Sequence, residues 1–214
     1  MFGCLRRVGC LALILLVAAG LWLTRDRWRS RVFGERGRPP VTWHPVTNMG
    51  TTRARSAVES LGNASGPVFV NLSPEELGAL LIENAGSRLP PSISSPQVAV
   101  VGDKVWLRAT INLDDIRGLR DIGPLTSMMD TREPFESAGT LDIVHPGLAE
   151  YRVESAKLGK LVIPSAMIPR LLARFSKAER FEGVAANGIA FEVPSYVGDV
   201  RVARGRITLY KNVK

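Results

Sequence analysis

Cysteine is almost missing from this chain of 214 residues: Cys4 and Cys10 are the only two, and none follows them. The region beyond residue 10 can hold no disulfide framework and no thiolate-ligated metal. Histidine is as scarce, with His44 and His145 alone. One histidine in the main body excludes a histidine-pair metal site there, and His145 stands in a His-Pro-Gly turn, where a solvated ring is the ordinary outcome. Aromatic residues make up 7% of the chain. The net charge is +8, but residues 1–43 carry eight Lys/Arg against two Asp/Glu and residues 44–214 carry twenty against eighteen. A nearly neutral body with few aromatics excludes a nucleic-acid surface. No Gly-x-Ser-x-Gly elbow, phosphate loop or dinucleotide fingerprint occurs. Asp114 and Asp115 are the nearest thing to paired catalytic carboxylates. Neighbours at a strand end point apart, so a capping or solvent role is the expected one. The residues therefore imply no enzyme, no metal and no cofactor.

What is present begins at the N-terminus. Val8 to Leu23 is free of charge. Its sixteen residues make about 24 Å of helix, close to the lower limit for a bilayer core of about 30 Å. With Leu5 and Thr24 included and Arg6, Arg7 and Arg25 snorkelling, the segment can span. Trp22 and Trp28 suit the membrane interface. No small-x-small cleavage site follows the apolar run, which argues for an uncleaved single-pass anchor over residues 1–24 rather than a signal peptide. Cys10 precedes the apolar core and does not read as a lipoprotein site. Arg25, Arg27, Arg29 and Arg31 then crowd the membrane face, where anionic lipid head groups are their natural partners.

Residues 25–66 are basic, with scattered Pro and Gly, and read as a stalk holding at most a short helix over 53–61. A strand is predicted at Val68 to Leu72. Ser73-Pro74-Glu75-Glu76 follows as an N-cap, a first-position proline and a capping-box glutamate. This predicts a helix to about Asn84, with Leu77, Leu80, Leu81 and Ile82 on its buried face and Gly86 beyond its end. Gly102-Asp103 predicts a hairpin between Gln97–Val101 and Lys104–Leu113, whose second arm alternates with a period of two. Residues 114–136 look irregular and polar, with Met128 and Met129 as core filler or a lid. A turn at His145-Pro146-Gly147 separates strands at 141–143 and 151–155. Short strands are predicted at 189–193 and 200–202, and a turn at Arg204-Gly205 leads to a closing strand over 207–210. The basic hairpin of Arg201, Arg204 and Arg206 reads as solvated or as a contact for lipid head groups.

The stretch Ala156 to Phe175 is the most suggestive. It reads as a strand interrupted at Gly159 by a bulge or a close backbone approach, stopped by Pro164, then a helix with Ser165 as a possible N-cap. Met167, Ile168, Leu171, Leu172 and Phe175 form one apolar stripe. Pro169 fits only in the first turn. An apolar helix beside alternating strands points to α+β architecture: an N-terminal transmembrane helix, then a long curved antiparallel sheet wrapped around apolar helices over 67–214.

Four motifs, LSPEELGALL, VAVVGDKVWLRATINL, KLGKLVIPSAMIPRLL and YVGDVRVARGRITLYK, spread over residues 68–212, resemble those of YpmS-like bacterial membrane-anchored proteins. They are also similar to the wider LmeA-type, TULIP-like lipid-binding domains. The resemblance implies an apolar groove for acyl chains, which falls to Leu77, Leu81, Leu161, Ile163, Met167, Leu171 and Phe175. It also implies a domain on the outer side of the inner membrane. Counted by flanking charge alone, the body would stay in the cytoplasm, but long domains cross largely regardless of charge. The expected function is lipid binding or transfer without catalysis. The alternative is a cell-envelope scaffold with a closed core and a protein partner.

Overall fold

The computed structural model describes residues 41–85, 93–115, 130–175 and 181–212. The chain divides into two units, and the second, Pro40–Lys214, contains all of these. Among the described residues no helix is long and apolar enough to cross a membrane. The expected anchor at 1–24, the arginines Arg25, Arg27, Arg29 and Arg31, and Gly86, Met128 and Met129 lie outside the described residues.

The described architecture is α+β with a long antiparallel sheet. Strand β1 (His44–Pro45) leads to helix α1 (Asn48–Gly62), strand β2 (Phe69–Leu72) and helix α2 (Pro74–Ala85). Two hairpins follow, β3 (Ser94–Val101) with β4 (Lys104–Asn112), and β5 (Arg132–His145) with β6 (Leu148–Leu158). Then come β7 (Leu161–Ile163), helix α3 (Ile168–Phe175), and strands β8 (Gly188–Glu192), β9 (Val197–Ala203) and β10 (Arg206–Lys211). The large sheet runs β1-β3-β4-β5-β6, and both β7 and β8 pair with β6. A second sheet runs β2-β10-β9.

Turn chemistry explains the hairpins. Gly102 has φ +66°, Gly147 φ +96°, and the β9–β10 turn places Arg204 at φ +51° and Gly205 at φ +76°. These left-handed positions are where tight turns need glycine or tolerate a strained residue. Gly159, expected as a bulge or a close backbone approach, has φ +55° and turns the chain between β6 and β7. The single expected strand over 156–163 is therefore a hairpin. A true bulge lies at Ala138/Gly139, where β5 crosses β6. A Cβ on Gly139 would stand 2.0 Å from the Arg152 carbonyl oxygen, so only glycine allows the two strands to approach there.

Two expectations are corrected. Residues 48–62, placed in a stalk, form a fifteen-residue helix. The Thr47 hydroxyl caps it by accepting from the Gly50 N–H at 3.1 Å, and Ala54, Val58 and Leu61 are buried. Residues 132–136, placed in an irregular segment, are the first part of β5. They pair with β4 from Arg108↔Glu136 to Asn112↔Arg132. Charge and Pro134 hide this strand in the sequence, and its buried positions beyond Phe135 include the small residues Ser137 and Gly139.

The main core gathers Leu61, Leu72, Leu77, Val98, Val105, Leu141, Tyr151, Val197 and Ile207 from both sheets and both early helices. Helix α2 lies against α1, against β3 toward one side of the large sheet and β8 at the other, and against β10 of the small sheet. Gly78 permits the close seat on β3: a Cβ there would meet Val98 Cγ1 at 2.6 Å and Val46 Cγ2 at 2.9 Å.

Candidate functional site

An apolar cleft opens beneath α2. Its N-terminus is held as the capping box predicts: the Ser73 N–H donates to Glu76 Oε2 at 2.8 Å and the Glu76 N–H to Ser73 Oγ at 3.2 Å. The helix presents Leu77, Leu80 and Leu81 to the cleft, and α1 adds Val58. Opposite stand Leu141 and Ile143 of β5, Ala149 of β6 and Phe191 of β8. Val197, Val200 and Leu209 of the small sheet close one side. Asn84 is the one polar residue of the lining, and its amide already donates to the Leu80 carbonyl at 2.9 Å. The cavity volume is about 60 Å³, within an empty space of about 510 Å³ that includes solvent at the mouth. That is narrow beside ligand pockets of roughly 300–1,000 Å³. The lining can exclude water, and its side chains carry no nucleophile, acid or base.

Of the seven residues expected to line a groove, the structure brings two, Leu77 and Leu81, to this cleft. Leu161, Ile163, Met167 and Leu171 lie at the other end of β6 and do not line it. From Ala149 at the cleft to Leu158 at the β7 turn, β6 runs nine residues, about 30 Å at ~3.3 Å per residue. Phe175 belongs to the last turn of α3; its side chain lies outside the described residues. Leu161 and Met167 are 38% and 43% exposed, so the expected central helix is a short one at a sheet corner. Ile168 alone of its first residues is buried. Ser165 does not cap α3. It begins a 3-10 turn without a side-chain cap, and α3 starts at Ile168 with Pro169 in the first turn, where a missing N–H costs nothing.

Sequence reasoning missed Val58, Leu141, Ile143, Phe191 and Leu209 as lining. Leu141, Ile143, Phe191 and Leu209 were each legible as strand positions and Val58 lay in the expected stalk, but nothing local said that they converge.

Polar groups in the interior are held by structure. Tyr151 is buried and donates to the Val105 carbonyl at 3.1 Å, with Ser137 Oγ at 3.3 Å. Burial pushes its hydroxyl pKa well above the ordinary value near 10. Glu150 is 1% exposed. It accepts the Ala185 N–H at 2.8 Å and pairs with the Arg152 guanidinium. Asn187 covers the stretch of β6 between β7 and β8: its amide donates to the Val153 carbonyl at 2.7 Å, and its own carbonyl accepts the Val153 N–H at 2.9 Å. His145 is exposed, with Nδ1 3.1 Å from the Pro146 carbonyl. Among the described residues no group of three or more His, Cys, Asp or Glu could hold a metal ion.

Comparison of the chain with protein-family models, with curated proteins and with solved structures found no match. Among the described residues, fold and cleft define an α+β domain with a narrow apolar cleft between a capped helix and two antiparallel sheets.

Proposed function

We propose that the chain is a membrane-anchored, extracytoplasmic, non-enzymatic domain that binds or helps transfer lipid, seating an acyl chain in the cleft under α2. One observation carries the reading: fourteen residues, twelve from seven elements and two from the β8–β9 link, converge on a cleft whose only polar member is Asn84. The contacts of α2 with β3 and with β8, which stand four strand positions apart, support a sheet that curls around this helix in a TULIP-like manner. The charge-free run at 8–23 supports the anchor. At about 60 Å³ the cavity takes a chain only as α2 moves away from β5 and β8. The full chain, extracted mildly and examined by native mass spectrometry, should carry lipid. Ile143→Trp or the half-buried Leu80→Trp, checked for folding by circular dichroism, should lose it. A folded wild-type chain that is consistently lipid-free overturns the proposal.

The narrowness of the cleft favours a second reading, an envelope protein scaffold with a closed core. It predicts a lipid-free chain and a stable crosslinked partner, for which Ile189 of β8, 39% exposed, is the candidate contact.

A further inference from the structure

We propose that the β6–β7 tip and the start of α3 form a separate docking surface for an anionic lipid bilayer. The tip turns at Gly159-Lys160. Within the next seven residues Leu161, Val162 and Met167 are 38%, 44% and 43% exposed. Large apolar side chains exposed singly need no explanation, but three so close together mark a contact surface. Lys160 and Arg170 flank them and are exposed. Neither makes an ion pair among the described residues, whereas Arg53, Arg55, Lys104, Arg108, Arg152 and Arg201 each pair with a carboxylate. The facing acid is Glu133, whose carboxylate lies against Gly159 and accepts the Asp130 N–H at 3.0 Å. Unpaired cations around exposed aliphatic side chains match the two layers of a bilayer surface, anionic head groups outside and acyl chains beneath. A protein partner of ordinary size would need a broader apolar face than this narrow tip presents. The surface lies about 30 Å along β6 from the cleft, so it does not depend on lipid being bound there.

The test uses the full chain with Cys4→Ser and Cys10→Ser, held in a neutral nanodisc, and Val162→Cys labelled with an environment-sensitive fluorophore. Phosphatidylcholine vesicles with about a third phosphatidylglycerol should shift its emission to the blue, and brominated acyl chains should quench it. The same label at Asp103→Cys, in the β3–β4 turn, should stay unchanged. Lys160→Glu with Arg170→Glu should weaken the vesicle response at residue 162 at least tenfold, while the lipid retained in native mass spectra stays as in the wild type. No shift with the anionic vesicles, an equal shift with pure phosphatidylcholine, or a shift from protein concentration alone overturns the proposal.

Discussion

Helices α2 and α3 sit toward opposite ends of the same long strand, β6, and each carries an apolar stripe at helical spacing. Leu77, Gly78, Ala79 and Leu81 of α2 are buried, while α3 buries Ile168 and leaves Leu171 and Leu172 half exposed. The difference lies in what surrounds them. Helix α2 has α1, β3, β8 and β10 around it, and among the described residues α3 has little beyond β6 and the 3-10 turn before it. Their starts differ too: reciprocal Ser73–Glu76 bonds hold one, and a 3-10 turn without a side-chain cap leads into the other. Periodicity tells which face of a helix is apolar. It does not tell how many partners arrive to cover that face.

The comparison can be broken most severely at the strand both ends share. Gly139→Val should cost about 3 kcal/mol or more, because any Cβ meets the Arg152 carbonyl backbone across the β5–β6 bulge. Thermal or urea unfolding should show both regions lost together; a wild-type melting curve would mean the strands can part without cost. A paired truncation sharpens the contrast. Leu77→Ala should cost about 2–5 kcal/mol, as for other buried leucines, and Met167→Ala should stay within about 0.5 kcal/mol, as for exposed positions. Equal costs in chemical denaturation would refute the assignment of depth to the two helices.

The smallest effect concerns pH. Tyr151 keeps its proton in the fold above the pH near 10 at which the unfolded chain loses it. Its contribution to stability is full below pH 10 and declines as pH rises beyond that, by up to about 1.4 kcal/mol per pH unit. Tyr151→Phe should lose about 1 kcal/mol at neutral pH with the bond to Val105. It should also flatten the alkaline decline of the urea midpoint, leaving the part due to Tyr196, which burial also raises. An unchanged alkaline slope would show that Tyr151 ionises in the folded state.

Much of the frame is written locally. The Ser-Pro-Glu-Glu start of α2, the Gly102-Asp103, Pro146-Gly147 and Arg204-Gly205 turns, and the alternation of β4 act through residues only a few positions apart, so sequence reading finds them and the α+β class. Two features escaped it for reasons of range. Helix α1 looked like stalk because its buried residues, Ala54, Val58 and Leu61, are few among polar neighbours and gain meaning only beside α2. The start of β5 looked irregular because its ladder partner is β4, across a long intervening segment.

By itself, then, the sequence determined the turns, the capped start of α2, the two periods of its apolar positions and the poverty of reactive groups, all set by short-range sterics and hydrogen bonding. The tertiary structure alone decided that α2 rather than α3 is enclosed and that the cleft joins Val58, Leu141, Phe191 and Leu209. Burial belongs to surfaces that meet, and these four meet only after both sheets have closed over the same helix.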